Sequence, residues 1–223
     1  MSALAPHVVP IFATPFGVVT LPQAQTLNSA VAELFAARVA REEGAPGGTP
    51  GRRVFVSRDD LLGWAEDPVR LTMREILAGV TSVAASISEL SGEALATLEI
   101  QARAWFTVVR SNGCLPARSY PNTSWLGVYC VTAPEVSPER ADSGVLRMHE
   151  SRMETSFQDP VHQSNRAPYR RGHYTWRPVP GQMAVFPGGL IHEIAMVRAT
   201  GTLTLLTARA RFAGASGAWM PPW

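Results

Sequence analysis

The chain has 223 residues, 46% of them hydrophobic, and a mean hydropathy of +0.02, which together predict one folded domain with a sizeable core and argue against a disordered chain. The net charge is +2 and the basic residues do not cluster in a run, so nucleic-acid binding is not predicted. All 20 basic residues are arginine, which excludes Schiff-base chemistry on lysine. No apolar stretch of about 18 residues and no signal-peptide pattern is present, and the two cysteines match no zinc spacing, so we expect a cytoplasmic protein with reduced thiols.

The first hundred residues are predicted to be mainly helical. Residues 7–20 are β-prone and interrupted by prolines, which predicts an opening edge strand. Apolar residues at helical spacing predict an amphipathic helix over 22–43 and a longer helix over 68–88. Ser57, followed by two acidic residues, is predicted to cap a short helix that ends at Trp64.

From residue 104 onward the pattern changes to short β-prone segments separated by turn residues. The predicted strands are 104–109, 125–131, 144–148, 173–177, 183–186, 193–197 and 202–209. Helices followed by regularly spaced strands predict an α+β, mainly β class, with a sandwich or barrel and the N-terminal helices packed on one face. We expect a single domain: an N-terminal region (1–103), a β core (104–212) and a C-terminal tail (213–223). The aperiodic stretch 151–172 is either a lid or a disordered segment.

The segment 178–192 reads P-V-P-G-Q-M-A-V-F-P-G-G-L-I-H and ends at His192. It resembles the P-x-x-G-x-x-x-x-F-P-x-x-x-x-H segment of a bacterial family of iron/2-oxoglutarate oxygenases, in which two strands and a tight turn present the last iron ligand. Weaker similarities to the same family lie at 10–16, 27–28, 56–62, 104–105, 121–131 and 144–152. The resemblance implies a double-stranded β-helix (jelly roll), Fe(II) and 2-oxoglutarate as cofactors, and oxidation of a small molecule or peptide.

Two positions depart from the family's ligand pattern. The family has His-x-His before a proline, whereas Arg118 and Tyr120 precede Pro121 here. Arginine stays protonated and cannot ligate a metal. At an effective dielectric near 20, a +1 charge about 4 Å from a +2 ion is repelled by roughly 8 kcal/mol. Tyr120 would have to ionise from a pKa of about 10.

A rebuilt metal site would use His192 with His149 and Glu150, or His192 with His162. Adjacent residues of a strand point to opposite faces, so His149 and Glu150 share a pocket only if the strand has ended or bulges.

The remaining candidates are ligand-binding residues. We expect Arg118, Tyr120 and His192 to be the catalytic residues and to converge on one cavity. Trp105, Trp125 and Trp176 are expected in the core or the pocket wall, with Trp125 or Trp176 lining this cavity. We also expect Arg152 and Trp125 to bind substrate or co-substrate. The family's late strand holds an arginine for the 2-oxoglutarate carboxylate; residues 202–204 contain none, which leaves Arg198, Arg209 or Arg211, and we select Arg209.

Three hypotheses about function follow. The first is an iron/2-oxoglutarate oxygenase-like enzyme that tailors a small molecule or peptide at an atypical iron site. The second is a metal-free enzyme in which Arg118 anchors an anionic substrate and Tyr120 and His192 act as acid and base. The third is a non-catalytic relative that binds a partner. The sequence leaves homodimerisation open.

Overall fold

The computed structural model describes residues 12–45, 48–49, 51–136, 138–150, 160, 164–166, 169, 172–214 and 223. The helices are α1 (Ala24–Glu43), α2 (Asp67–Ile87) and α3 (Gly92–Ala96). The strands are β1 (Gly17–Thr20), β2 (Val54–Val56), β3 (Glu99–Arg110), β4 (Leu115–Arg118), β5 (Trp125–Thr132), β6 (Leu146–His149), β7 (His173–Trp176), β8 (Gln182–Pro187), β9 (His192–Ile194) and β10 (Thr202–Ala213). None of the described helices combines the length and the apolar character that a membrane crossing demands.

The two long helices form where the apolar spacing predicts them, and each end lies within two residues of the predicted position. α2 begins with Asp67 and Pro68, which suit a helix start because an acidic side chain favours the helix dipole and proline needs no hydrogen-bond acceptor there. Its residues Val69, Met73 and Ile76 fall on one face and are buried.

The strands form two antiparallel sheets. The larger sheet has the order β1-β8-β5-β10-β3-β2, and the smaller sheet has the order β4-β9-β6-β7. Every pairing between these strands is antiparallel. The prediction of a mainly β class with two antiparallel sheets is therefore confirmed.

The larger sheet separates two hydrophobic cores. Phe35 of α1 and Ile76 of α2 pack on its outer face with Phe106 of β3, in one buried cluster. Leu205 of β10 lies in a second cluster, which joins the larger sheet to the smaller one. Its neighbour Leu206 belongs to the first cluster, as expected from the alternation of side chains along a strand. The helices therefore cover one face, as predicted, and the second core lies between the sheets.

The prediction for Ser57 is wrong. Its Oγ accepts the Phe106 N–H at 3.0 Å and donates to the Arg58 carbonyl at 2.8 Å. The Ser57 N–H also donates to the Phe106 carbonyl at 2.9 Å, so this residue extends the pairing of β2 with β3. The segment that follows, Leu61–Gly63, is a single 3₁₀ turn with no side-chain cap.

Candidate functional site

Arg118, Tyr120 and His192 come together where β4 ends and β9 begins. Arg118 lies directly opposite His192, and His192 lies directly opposite Met148 of β6, which belongs to the core between the sheets. Residues opposite each other in a strand pair point to the same face, so Arg118 and His192 point into the space between the sheets. The Tyr120 N–H donates to the Gly188 carbonyl at 2.7 Å, which fixes the segment after β4 to the turn before β9.

These three residues line one cavity of about 30 Å³. Its wall also contains Trp105, Thr107, Leu115, Val128, Leu146, Glu193, Ile194, Leu205 and Thr207. A cavity of this size holds a water molecule or one small polar group, whereas pockets for drug-sized ligands measure about 300–1,000 Å³. The expected convergence of Arg118, Tyr120 and His192 is seen, in a space that admits only one small group of a ligand.

His192 has a buried imidazole with one ring nitrogen in a hydrogen bond. The residue is 7% exposed, and its Nδ1 lies 2.9 Å from the Leu190 carbonyl oxygen. Because that oxygen can only accept, we assign the proton to Nδ1, which leaves the Nε2 lone pair available. Burial is the main cause that lowers the pKa of His192, and the Arg118 charge lowers this pKa further. His192 is therefore neutral at pH 7.

The lowered pKa of His192 predicts a pH-dependent contribution to stability. The unfolded chain binds this proton near the ordinary value of 6.5, and the folded chain binds it only at lower pH. The stability from neutral His192 is thus fully present above 6.5 and is lost as the pH falls through the window between 6.5 and the lowered pKa. We expect the free energy of unfolding of the wild type to fall more steeply than that of His192→Asn between about pH 7 and pH 5. Parallel urea-unfolding curves for the two proteins would contradict this.

Tyr120 contacts the other aromatic and cationic groups of the site. Its ring centroid is 5.9 Å from that of His192 and 5.6 Å from that of Trp105. The guanidinium carbon of Arg209 lies over the same ring, 4.8 Å from its centroid. Arg209 also donates from Nε to Thr123 Oγ1 at 2.9 Å. Tyr120 therefore links the cavity to a neighbouring group of arginines that includes Arg209.

The structure places Trp125 and Trp176 away from this cavity. Trp125 packs against the cluster under the helices, and the next residue, Leu126, belongs to the core between the sheets. Alternation along β5 sends these two side chains to opposite faces, so the expectation that Trp125 lines the cavity is wrong. Trp176 is buried in the core between the sheets but is not in the cavity wall. Arg152 and His162 lie outside the described residues.

The proposed metal group of His192, His149 and Glu150 does not form. His149 follows Met148 in β6 and so points to the opposite face of the smaller sheet from His192. There its Nε2 lies 3.8 Å from Glu193 Oε1, and Glu193 accepts from Arg147 at 2.5 Å. The part of the chain that the structure describes contains no group of three His, Cys, Asp or Glu side chains placed to hold a metal ion.

The sequence patterns predicted some of the cavity wall and missed the rest. Trp105 was expected in the core or pocket wall and lines the cavity, whereas Thr107 and Thr207 were not singled out. A signal for both exists, since each is a hydroxyl residue flanked by apolar residues inside a buried strand. That pattern is typical of polar groups facing a cavity as well as of ordinary core threonines, which is why it did not identify them.

The comparisons with known proteins show the fold. No protein-family model matches the chain, and no curated protein has a significantly similar sequence. Solved structures do match. They include the non-heme α-ketoglutarate-dependent carbocyclase SnoK from nogalamycin biosynthesis, with a TM-score of 0.58, 9% identity and coverage of 92% of this chain and 85% of that chain. HygX from Streptomyces hygroscopicus, solved with nickel and 2-oxoglutarate bound, matches with a TM-score of 0.56, 11% identity and coverage of 92% and 84%. A Pseudomonas putida prolyl-4-hydroxylase matches with a TM-score of 0.54, 16% identity and coverage of 90% and 93%.

The chain therefore has the double-stranded β-helix fold of 2-oxoglutarate/Fe(II) oxygenases. Iron in such a fold needs three nitrogen or oxygen ligands on one side of the ion. Around His192 the cavity is lined by a guanidinium, a phenol, two threonine hydroxyls and Glu193, whose carboxylate is paired with Arg147. The guanidinium is a permanent cation and repels a divalent ion. The described residues around His192 thus do not fit the iron site that the fold implies.

Proposed function

We propose that this protein binds the anionic group of a small molecule in the cavity without a metal ion, and that His192 and Tyr120 exchange a proton with that molecule. The observation that carries the proposal is the position of Arg118, directly opposite His192 on the face between the sheets. A guanidinium stays charged at neutral pH and binds carboxylates and phosphates in a fork geometry. It therefore favours an anion at the place where a metal cation would need a ligand.

The two neighbouring side chains support acid–base chemistry on the bound molecule. With Nδ1 bonded to the Leu190 carbonyl, His192 has its Nε2 lone pair available to accept a proton. The Tyr120 hydroxyl is a donor on a ring whose centroid lies 5.9 Å from the imidazole centroid. Arg118 would hold the negative group while these two side chains act on an adjacent atom. A protein that binds the anion without turnover would use Arg118 in the same way.

The fold favours a second candidate, oxidative tailoring of a small molecule or peptide with Fe(II) and 2-oxoglutarate at an atypical site. The solved structures with this fold include α-ketoglutarate-dependent enzymes, and His192 keeps a free Nε2 between the sheets. Arg118 and Tyr120 weigh against it because they replace the nitrogen ligands that the sequence resemblance implies. Iron binding separates the two candidates.

Anion binding in the absence of metal tests the first candidate. We expect 2-oxoglutarate, succinate or oxalate, titrated with EDTA present, to raise the melting temperature of the wild type. Removing the charge in Arg118→Gln should weaken the binding by about 10- to 100-fold, since a charge-assisted hydrogen bond contributes roughly 1.5–3 kcal/mol. The matched control is Arg74→Gln, which changes an exposed arginine on α2. Equal melting shifts in wild type and Arg118→Gln, or no shift with any of the three acids, would overturn the proposal.

A further inference from the structure

Three arginines gather at the end of the sheet where β10 and β3 extend beyond the cavity. Arg209 lies directly opposite Arg103 of β3 and opposite Leu126 of β5. Leu126 belongs to the core between the sheets, so Arg209 and Arg103 are on that face as well. Arg211 is two residues further along β10, on the same face, and is 7% exposed. The inner face of the larger sheet thus changes from apolar to cationic at this end.

Two of these arginines donate to neutral side chains, and the third binds a carboxylate. Arg209 donates from Nε to Thr123 Oγ1 at 2.9 Å, and Arg211 donates from Nε to Gln101 Oε1 at 3.0 Å. Arg103 binds the Asp59 carboxylate at 2.8 Å. Within the described part of the chain, Arg209 has no carboxylate at ion-pair distance. Burial is the main cause that lowers the pKa of Arg209; the Arg103 and Arg211 charges also lower this pKa, while Tyr120 and Asp59 raise it. A bound anion would oppose the effects of burial and of the two neighbouring cations.

An aromatic ring lies among the three guanidinium groups. The centroid of the Trp223 ring is 4.3 Å from the guanidinium carbon of Arg211, 4.9 Å from that of Arg209 and 5.8 Å from that of Arg103. Arg209 also lies 4.8 Å from the centroid of the Tyr120 ring, so it contacts an aromatic ring on two sides. We call the space that Trp223 fills between Arg103, Arg209 and Arg211 the arginine slot. Its shape accepts a flat ring, because guanidinium groups stack on aromatic faces.

We propose that the arginine slot is a binding site for a flat aromatic anion, of the aryl phosphate or aryl carboxylate class, and that Trp223 takes the position of its ring when the ligand is absent. The ring of such a ligand gains the stacking contacts that the indole makes now. Its anionic group gains charge-assisted hydrogen bonds from the terminal nitrogens of Arg209 and Arg103, which an indole cannot supply. A neutral aromatic molecule gains the stacking contacts alone, and inorganic phosphate gains the charge-assisted hydrogen bonds alone.

The arginine slot is separate from the site proposed around Arg118. Among the described residues, Tyr120 is the one that contacts both, through His192 and through Arg209. Arg118→Gln should therefore leave binding to the slot unchanged while it weakens carboxylate binding in the cavity. Each proposal can fail without the other.

Calorimetric titration with phenyl phosphate tests the slot. We expect phenyl phosphate to bind the wild type at least about tenfold more tightly than inorganic phosphate or benzyl alcohol does. Trp223→Ala should bind phenyl phosphate more tightly than the wild type, because the competing ring is gone. Arg209→Gln should weaken the binding by about tenfold or more, and Arg103→Gln, at a side chain that is 46% exposed, gives a second variant with little risk to folding.

Arg74→Gln is the matched control and should bind phenyl phosphate as the wild type does. Equal affinity for phosphate and phenyl phosphate would overturn the aromatic part of the proposal. Weaker binding by Trp223→Ala would show that Trp223 is a wall of the site and does not compete with the ligand. Unchanged binding in both arginine variants would overturn the site itself.

Discussion

Replacing Arg118 and Tyr120 with histidine is expected to create an Fe(II) site and to raise iron uptake well above that of the wild type. Arg118 lies directly opposite His192, and the Tyr120 ring lies 5.9 Å from the His192 ring, so three imidazoles would face one cavity. The substitution also removes the cation whose repulsion of a divalent ion is roughly 8 kcal/mol at about 4 Å. Imidazole nitrogens are ligands that suit Fe(II) and Ni(II).

Anaerobic titration followed by metal analysis measures this difference. The double variant Arg118→His/Tyr120→His should take up close to one Fe(II) per chain, and the wild type should take up little. Adding His192→Ala to the double variant should abolish the uptake.

Arg118→His/Tyr120→Asp is a second design, with two histidines and a carboxylate. Stoichiometric uptake by the wild type, lost in His192→Ala, would make the oxygenase mechanism the working model. Failure of both designs to bind would show that the strand ends cannot hold the ligands in position.

The helices and most strands could be predicted because their side-chain period decides which face is buried. The predicted helices 22–43 and 68–88 match α1 and α2, and the opening edge strand and the seven later predicted strands each overlap an observed strand. β4 was not predicted, since its four residues contain a proline and none of them is buried. Its pairing with β9 arises only when distant segments meet. Strand ends behave similarly: β3 begins at Glu99, five residues before the predicted start, because β10 pairs with it over the full length.

The sequence predicted the candidate site only for those residues that the family resemblance assigns to particular strand ends. Arg118, Tyr120 and His192 meet because the order of the strands brings the end of β4 to the start of β9. Trp125 was misplaced because one residue of register decides which face a side chain occupies. The arginine slot was missed, although Arg209 and Arg211, two apart in one strand, indicate a shared face. That Arg103 lies beside them could not be predicted, because it depends on the pairing of β10 with β3.

Phe106→Ala is expected to produce a large loss of stability. Phe106 is 0% exposed and stacks on Phe35 of α1 with ring centroids 4.0 Å apart. Its ring also contacts Phe55 and Trp64, at centroid distances of 5.6 and 6.2 Å. Truncating a buried phenylalanine costs about 3–5 kcal/mol because transfer energy is lost and a cavity remains. That is a large part of the roughly 5–15 kcal/mol by which a domain is stable.

Urea unfolding of Phe106→Ala and Phe12→Ala compares the same substitution at a buried and at an exposed position. Phe12 is 89% exposed, so its truncation should change the free energy of unfolding by no more than about 0.5 kcal/mol. Equal losses in the two variants would mean that α1 does not hold the larger sheet. Phe106 also connects stability to the site, because its neighbours Trp105 and Thr107 point to the other face of β3 and line the cavity. A folded Phe106→Ala protein should therefore bind 2-oxoglutarate more weakly than Phe12→Ala does, since the strand that carries this wall has lost its support from α1.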